Sequence, residues 1–307
     1  MVIVNWNSGR QLSECLQSVS DFDSEIVGKI FVVDNASSDG SQECAQATPG
    51  VCLIQAQENL GFAKACNLAA RQGHSAYCLF LNPDARLYEG SIGAVLQFME
   101  SPEAAEIGIC GIRLVDSEGR THRHCARFPS WRTYFGKVSG LSRLFPQRFP
   151  PHFMIEFDHE TSREVDQVSG ACFFVRRKVS DDIGWFDERF FVYMEELDFC
   201  FRAKRAGWRT WYTVDATAYH RGGGTSEQVK AQRLFYSLRS RVLYGFKHFS
   251  PTAAWSVFVV TMGFEPLARV FRGAFRLSFE EIRDTCRAYL MLWRGIPGIF
   301  RAKRFNR

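Results

Sequence analysis

The sequence lacks the patterns that mark disulfide-rich, membrane-spanning and repetitive proteins. Its 10 cysteines form no C-x-x-C pair, and no internal repeat is present. No apolar run reaches the about 18 residues that cross a bilayer, since the best candidate, residues 253–264, is followed by Glu265 and Pro266. Met1 leads directly into an apolar run, so we expect no signal peptide. A reducing, cytoplasmic compartment is the resulting expectation.

Several catalytic signatures are also missing. The chain has no G-x-G-x-x-G of dinucleotide-binding proteins, no G-x-x-x-x-G-K-[ST] of P-loop enzymes and no G-x-S-x-G of serine hydrolases. What is present is an ordinary globular composition, with 46% hydrophobic and 23% charged residues over a chain of 307. A chain of this length can bury a sizeable core, as one large domain or two small ones.

Charge is unevenly distributed along the chain. Residues 229–307 carry 15 Lys and Arg against 4 Asp and Glu, a net charge of +11, whereas residues 1–228 carry 23 basic and 29 acidic residues, a net of −6. A basic tail favours an anionic surface as its partner. A nucleic-acid binder would need a basic face on the body of the chain, so the acidic body disfavours that function.

The first hundred residues alternate between strand and helix patterns. Strands are predicted at residues 2–5, 30–33, 51–54 and 77–81, and helices at residues 11–19, 40–47, 62–70 and 91–99. This order predicts a mostly parallel sheet with helices on both faces, where ligands bind at the carboxyl ends of the strands. Asn5, Asp34 and Asp84 follow strand ends and should share one edge of the sheet.

The rest of the chain is less regular. Residues 107–114, 168–175 and 210–214 are predicted as strands, with a further strand end and turn at 216–224, and residues 195–205 as a helix; residues 116–163 are predicted as long loops. Beyond residue 229 a helical tail is expected, interrupted at Ser250-Pro251, Glu265-Pro266 and 295–297. We therefore predict one domain over 1–228, in halves 1–105 and 106–228, and a helical extension over 229–307.

Two polar loops follow buried strands. Asp34 could accept hydrogen bonds from a base or ribose, although the loop that it opens could equally serve to cap the next helix through Ser38 or Asp39. Asp84, in Asn82-Pro83-Asp84, is well placed to hold Mg²⁺ or Mn²⁺, which take one or two carboxylates and complete their shell with water and phosphates. The alternative for Asp84 is a simple turn.

Three carboxylates begin the helix predicted at 195–205: Glu195, Glu196 and Asp198. Acidic residues favour helix N-termini in any case, but the preceding aromatic residues would partly desolvate a carboxylate and raise its pKa, which suits a general base. Asp198 and Arg202 have the i,i+4 spacing of a salt bridge. Asp198 is therefore expected to be structural, which leaves Glu196 as the freer base.

His220 precedes three glycines. Imidazole can bind Mn²⁺, and consecutive glycines allow backbone N–H groups to approach a phosphate. A single histidine is more often a satisfied structural residue, and the sequence alone leaves both interpretations open.

Together these segments resemble the inverting family 2 glycosyltransferases of the GT-A fold, in particular the rhamnosyltransferase-like branch. The resemblance covers residues 2–226 and continues more weakly to about residue 249. It rests on the order and spacing of seven segments: residues 4–7, 33–41, 59–63 with Asn67, 82–85, 169–171, 186–198 and His220 with its glycines. It implies an α/β, Rossmann-like three-layer α/β/α sandwich with a mostly parallel central sheet and a C-terminal helical extension.

The resemblance also implies roles for individual residues. Asp34 would contact a pyrimidine base, and the remaining donor-binding positions would be Asn5, Asn59, Gly61, Asn67 and Asn82. Asp84 would hold a divalent metal (Mg²⁺ or Mn²⁺) as in the family's D-x-D motif, with help from His220. Glu196 stands where relatives have the Asp of a Glu-Asp-x-Asp motif, the general base.

This sequence departs from the family pattern at two places. Glu196 is one methylene longer than Asp, so Glu195 could share its task. Asn82 replaces a carboxylate of the full D-x-D and supplies no charge. The implied reaction is transfer of a sugar, with rhamnose from a dTDP donor slightly favoured over UDP sugars, to a hydroxyl of a saccharide or lipid-linked saccharide in cell-surface polysaccharide synthesis. A nucleotidyltransferase is the alternative, disfavoured because residues 5–10 offer one glycine and Arg10 only.

The tail carries a separate expectation. Between Pro266 and Gly295, six arginines fall at intervals that place them on one face of a continuous helix: Arg269, Arg272, Arg276, Arg283, Arg287 and Arg294. Such a helix could lie on an anionic membrane, on the inner face of the plasma membrane. Alternatively it packs on the body and exposes a solvated basic face.

Overall fold

The computed structural model describes residues 1–222 and 229–303. The chain divides into two compact units, each assembled from separate segments. The first unit consists of residues 1–127, 153–188 and 195–225, and the second of residues 128–152, 189–194 and 226–307. The glycines at 223 and 224, with Thr225 and Ser226, fall outside the described residues.

The first unit is built on a sheet of nine strands. The strands are β1 (Val2–Asn5), β2 (Ile30–Asp34), β3 (Val51–Gln55), β4 (Tyr77–Leu81), β5 (Ala85–Leu87), β6 (Ile107–Val115), β7 (Arg163–Val165), β8 (Cys172–Arg176) and β9 (Arg209–His220). Their order is β3-β2-β1-β4-β8-β6-β9-β5, with β7 also paired to β9. Strands β1 to β4 are parallel to their neighbours in that group, and β6 is parallel to β9. Strand β8 runs antiparallel between β4 and β6.

Helices cover both faces of this sheet. They are α1 (Arg10–Phe22), α2 (Gln42–Ala47), α3 (Phe62–Ala70), α4 (Ser91–Met99), α7 (Arg177–Ile183) and α8 (Glu195–Arg205), with a 3₁₀ turn at Pro102–Ala104. Side chains alternate across each strand. One set, including Ile3 and Val32, joins the buried cluster formed with α1 and α4. On the other face Phe80 packs against Phe186, with ring centroids 4.8 Å apart, and Phe186 packs against Phe199 of α8 at 5.3 Å.

The second unit is helical. It contains α5 (Trp131–Ser139), α6 (Leu141–Leu144), α9 (Lys230–His248), α10 (Pro251–Val259), α11 (Glu265–Phe275), α12 (Phe279–Arg294) and α13 (Ile296–Lys303). A π-helical turn at Val260–Phe264 joins α10 to α11 without a break. Segment 189–194 is fastened to α9, because Arg239 donates to the Arg189 carbonyl at 2.9 Å and the Ser240 hydroxyl to the Val192 carbonyl at 2.9 Å.

The predicted alternation of strands and helices up to residue 99 is confirmed, and so are β6 and α8. The predicted strand at 168–175 begins only at Cys172, and the patterns at 210–214 and 216–220 belong to the single strand β9. The long loops expected over 116–163 contain α5 and α6. Helix α5 begins at a capping box formed by Ser130 and Thr133, a short polar signal that needs no long apolar pattern.

The continuous helix expected between Pro266 and Gly295 is wrong. The chain leaves helical geometry at residues 276–278, where Leu277 has φ of 52°, and α12 begins again from Ser278, whose hydroxyl accepts from the Glu281 N–H. The six arginines therefore do not share one helix face, because two lie on α11, Arg276 lies in the turn and three lie on α12. Three of them are also paired with carboxylates: Arg269 with Glu265 at 2.8 Å, Arg272 with Glu281, and Arg283 with Asp284 at 3.6 Å.

Candidate active site

A hydrogen-bonded network joins the ends of β1 and β2. The Asn5 amide nitrogen lies 2.8 Å from Asp34 Oδ1 and 2.9 Å from the Ser41 hydroxyl, and the Asn5 amide oxygen accepts from Ser8. Asp34 also accepts from the Ser37 N–H at 3.2 Å. Asn5 is fully buried and Asp34 is 4% exposed. The geometry thus supports Asn5 as the residue that positions the Asp34 carboxylate, rather than as a side chain that meets a ligand.

A second loop is tied to the end of β2 by Asn35, a residue that our sequence reasoning did not single out. Its amide oxygen accepts from the Leu60 N–H at 3.0 Å, and its amide nitrogen donates to the Gly61 carbonyl at 3.1 Å. Asn59 accepts from the Gly61 N–H at 2.9 Å. Gly61 has φ of 79° as it opens α3, which a residue with a side chain would adopt only with strain. Asn59 and Gly61 are thereby held beside Asp34.

Asn67, which was expected to line the donor pocket, has a buried side chain. It is fully buried on α3, its amide nitrogen donates to the Phe186 carbonyl at 2.8 Å and to Glu188 Oε1 at 2.9 Å, and its amide oxygen accepts from the Phe186 N–H at 3.0 Å. These bonds satisfy the amide. The geometry supports a structural task for Asn67, which is to fasten the loop at 184–188.

Asp84 and His220 face each other at the opposite side of β1. Strand β5 begins directly after Asp84 and pairs antiparallel with the end of β9, with Ala85 opposite His220. Asp84 Oδ1 lies 3.4 Å from His220 Nε2, and both side chains are mostly buried, at 10% and 15% exposure. His122, which the sequence reasoning missed, places its ring 6.1 Å from that of His220. Burial and the neighbouring His220 lower the pKa of His122, which favours its neutral form.

Glu196 is brought to the same edge through the segment before β8. The Asn82 N–H donates to the Ala171 carbonyl at 2.9 Å, which aligns residues 169–171 with the end of β4. Glu196 packs against Gly170, because a Cβ added there would lie 3.8 Å from the Glu196 carboxyl carbon. The fold thus places Asp34 at the end of β2, Asp84 just after β4, and Glu196 beside the segment that enters β8. Because β8 is antiparallel to β4, its first residues lie at the edge of the sheet where β4 ends, which is where α/β sheets bind ligands.

Glu195 and Glu196 are both held in surroundings that disfavour their charge. Each has one carboxyl oxygen that is buried and without a hydrogen-bond partner among the residues that the structure describes. Burial and the neighbouring Glu196 raise the pKa of Glu195 well above its usual range, and burial raises the pKa of Glu196. Glu195 and Glu196 therefore bind and release protons as a pair, and burial favours the protonated form of each carboxyl.

Asp198 is structural, and the predicted salt bridge is confirmed. It is fully buried, and its Oδ2 accepts from Arg202 Nε at 2.7 Å across one helical turn. The same guanidinium donates to the carbonyls of Ile183 and Trp185, both at 2.7 Å. Asp198 therefore holds Arg202, and Arg202 holds the loop at 184–188 from the side of α8.

The pair Asp84 and His220 fits a divalent cation. Two ligand atoms about 2.1 Å from one octahedral ion lie about 3 Å apart, and the Oδ1–Nε2 separation of 3.4 Å is close to that value. Carboxylate oxygen and neutral imidazole are both ligands that Mn²⁺ accepts. Within residues 1–222 and 229–303 no cluster of three or more His, Cys, Asp or Glu forms a cation cage. Water and substrate phosphates would have to complete the shell.

The mixed, mostly parallel sheet with helices on both faces and further helices at the C-terminus is a GT-A fold. The chain belongs to the family described as glycosyl transferase family 2, whose profile matches residues 1–184, and it is a glycosyltransferase. The family expectation from the motifs is confirmed, and the nucleotidyltransferase alternative is not favoured.

Three known proteins show the range of this similarity. The chain is 28% identical over 257 residues to an N-acetylglucosaminyl-diphospho-decaprenol L-rhamnosyltransferase of Mycobacterium tuberculosis H37Rv, covering 80% of this chain and 82% of that one. It is 24% identical to the rhamnosyltransferase WbbL of Escherichia coli K12, covering 80% and 91%. The mannosyltransferase PcManGT of Pyrobaculum calidifontis, solved with GDP-mannose and Mn²⁺, superposes with a TM-score of 0.54 at 13% identity, covering 95% and 86%. That solved structure supports the fold alone.

Proposed function

We propose that this enzyme transfers a hexose, rhamnose in particular, from a dTDP or UDP donor to a hydroxyl of a saccharide or lipid-linked saccharide. The observation that carries the proposal is the placement of Glu196 against Gly170 at the edge where Asp84 faces His220. The names of the two rhamnosyltransferase relatives support the sugar. The name of the mycobacterial relative supports a lipid-linked acceptor.

Each residue then has a task in a single displacement. Asp34, held by Asn5, accepts hydrogen bonds from the donor's nucleoside, and Asn59 with Gly61 lines the same pocket. Asp84 and His220 would hold a divalent metal, which offsets the negative charge that grows on the departing nucleoside diphosphate. Glu196 takes the proton of the acceptor hydroxyl as its oxygen attacks the anomeric carbon from the face opposite the diphosphate. The anomeric configuration is thereby inverted.

The positioning residues follow from the same assignment. Asn67 on α3 and Arg202 on α8 donate hydrogen bonds to backbone carbonyls of the loop at 184–188. These bonds fix the position of the start of α8 relative to the sheet. Residues 1–105 would bind the nucleotide sugar, and residues 106–228 would supply the base and the acceptor site. With a lipid-linked acceptor, the enzyme would work peripherally on the inner face of the plasma membrane, in the synthesis of a cell-surface polysaccharide.

A donor panel tests this function directly. Purified protein with Mn²⁺ is incubated with dTDP-rhamnose, UDP-glucose, UDP-N-acetylglucosamine and GDP-mannose, and the released nucleotide is measured. We expect slow donor hydrolysis that yields nucleoside diphosphate, fastest with dTDP-rhamnose. Formation of pyrophosphate from a nucleoside triphosphate and a sugar phosphate would instead identify a nucleotidyltransferase, and no turnover of any donor would contradict the proposal.

A further inference from the structure

Helix α11 turns its apolar side to solvent. Its exposed positions include Leu267 at 70%, Phe271 at 75% and Phe275 at 84%, preceded by Phe264 at 63%. These residues are spaced by three and four, so they form one stripe along the helix. A surface helix ordinarily directs such a stripe toward the core. Four large apolar residues exposed side by side mark a surface that meets an apolar partner.

The opposite side of α11 is polar and faces the interior of the second unit. Glu265 is 4% exposed and pairs with the buried Arg241, and also with Arg269 at 2.8 Å. Gly273 on the same side is buried against Ile282 of α12. The charges of the helix are therefore already compensated within the unit, and the apolar stripe cannot be turned inward without breaking these ion pairs.

The stripe extends beyond α11 in both directions. On α10, Trp255 and Val259 are 45% and 51% exposed, and the π-turn between the helices provides the five-residue step from Val259 to Phe264 that keeps the stripe in line. After α11, Leu277 and Phe279 at the turn into α12 are 84% and 82% exposed. We call the exposed apolar residues from Trp255 to Phe279 the apolar stripe. Its helical part, from Trp255 to Phe275, is about 30 Å long.

The surroundings of the stripe favour a lipid surface over a second protein chain. Arg276 is exposed between Phe275 and Leu277, whereas charged residues are depleted at the centres of protein interfaces. In a bilayer the same arginine can reach the headgroups while its neighbours enter the acyl region. The exposed arginines of α12, among them Arg283 and Arg287, and the +11 charge of residues 229–307 complement an anionic leaflet.

The helix is suited to lie in the membrane surface and not to cross it. Residues Pro251–Phe275 are long and apolar enough to span a bilayer by length and composition. A spanning orientation would carry Glu265, Arg269 and Arg272 into hydrocarbon. We propose that the stripe inserts into the interfacial layer of an anionic bilayer while the polar side stays on the protein. Burial of apolar side chains contributes most to this membrane attachment, and attraction between arginines and anionic headgroups adds to it. The attachment does not depend on which sugar the enzyme transfers.

Flotation with liposomes tests the anchor on the full chain. Vesicles of phosphatidylcholine alone, and of phosphatidylcholine with phosphatidylglycerol, are each used at low and at high salt. We expect binding to both, tighter to anionic vesicles, with a substantial part that survives high salt because apolar burial is not screened. Phe271→Ser combined with Phe275→Ser should lower the bound-to-free ratio by about tenfold or more, since each ring contributes apolar area.

A matched control separates the stripe from general hydrophobicity. Phe22 and Phe145 are 44% and 56% exposed outside the stripe, so Phe22→Ser combined with Phe145→Ser should bind vesicles like the wild type. A second stripe variant, Leu277→Ser with Phe279→Ser, should also lose vesicle binding. Agreement between the two variants would show that the loss is not caused by local misfolding around Phe271 and Phe275. Donor hydrolysis without lipid should be unchanged in all variants, which distinguishes a failed anchor from a failed enzyme.

Three results would overturn the anchor. The wild type could remain unbound with both vesicle types, or both stripe variants could bind as well as the wild type. Light scattering could also show a wild-type dimer that the stripe variants dissociate while vesicle binding is absent, in which case a second copy of the chain covers the stripe.

Discussion

Two adjacent glutamates at the start of α8 differ in how strongly their charge is disfavoured. Glu195 is 4% exposed and its pKa is raised most, because it is buried and lies beside the negative charge of Glu196. For Glu196, burial is the one influence that raises the pKa. A base with a raised pKa takes a proton more readily than an ordinary carboxylate does.

The pH dependence of turnover follows from the raised pKa of Glu196. Because only the deprotonated carboxylate can accept the proton of the acceptor hydroxyl, activity should fall as the pH drops through the pKa of Glu196. That fall should lie above the pH at which an ordinary glutamate, with a pKa of about 4.3, titrates. The measurement is kcat/KM against pH with saturating Mn²⁺. An acidic limb at or below the ordinary value would contradict the assignment.

Stability should respond to Glu195 in a defined direction. Its folded-state pKa is raised, so the folded protein binds a proton more tightly than the unfolded chain, and stability is lost as pH rises through the folded pKa. Glu195→Gln removes this penalty. We expect the variant to melt at a higher temperature than the wild type at pH 8 and at the same temperature near pH 4. A lower melting temperature for the variant at pH 8 would contradict the burial of an uncompensated carboxyl.

The metal assignment rests on the pair Asp84 and His220. Asp84→Ala should lower transfer by on the order of 100-fold or more, because the charge on the departing diphosphate is no longer offset. EDTA should act in the same way on the wild type, and added Mn²⁺ should reverse it. Asp181, exposed on α7, supplies the control Asp181→Ala, which should remain active. Full activity of the wild type in EDTA would remove the metal from the mechanism.

The sequence predicted which polar residues follow the strands, but not what each side chain does. Asp34 and Asp84 could be selected because they follow buried strands, and Glu196 because it begins a helix directly after a run of aromatic residues. Asn5 and Asn67 were expected in the donor pocket, and both are fully buried with their amides occupied. The direction of a buried amide depends on partners far away in sequence, such as Phe186 for Asn67. No local pattern reveals it.

At the scale of elements, the loop at 184–188 is held by residues that are distant in sequence, Asn67 on α3 and Arg202 on α8. In Asn67→Ala, the backbone N–H and carbonyl of Phe186 lose the Asn67 amide that hydrogen-bonds both of them. Leaving buried backbone groups without hydrogen bonds lowers the stability of the folded state. We expect the free energy of unfolding to fall by about 2–4 kcal/mol, measured by urea denaturation. Lys64→Ala, an exposed change on the same helix, should cost less than about 0.5 kcal/mol. A similar small loss for Asn67→Ala would show that the loop is held elsewhere.

Elements with a long periodic pattern were predictable, and short or tertiary-determined ones were not. Helices α3 and α8 agree with the residues that the pattern predicted because their apolar positions recur at helical spacing. Strands β5 and β7 have three residues each, too few to show alternation, and exist because β9 pairs with them. The break after α11 depends on Leu277 at φ of 52°. A leucine carries no local signal for that conformation.

At the scale of the whole molecule, the residues proposed for catalysis and those proposed for membrane attachment lie in different units. The residues proposed for donor, metal and base all belong to the first unit, and the apolar stripe belongs to the second. Composition anticipated part of this division, since residues 229–307 are strongly basic and the preceding residues are acidic. It did not anticipate that residues 128–152 and 189–194 join the second unit, because such grouping follows from tertiary packing. The predicted boundary at residue 228, between a domain over 1–228 and a helical extension over 229–307, stays a prediction.

The central claim is that Glu196 is the base of a single displacement by an acceptor hydroxyl. The most direct measurement compares the turnover of Glu196→Gln and Glu195→Gln with that of the wild type at saturating donor and acceptor. Glutamine keeps the size of the side chain and removes its basicity, so Glu196→Gln should bind the donor normally and turn over about 10²–10⁴-fold more slowly. Glu195→Gln should retain most of its activity. The opposite order, with Glu195→Gln inactive and Glu196→Gln active, would contradict the account and move the base one residue toward the N-terminus.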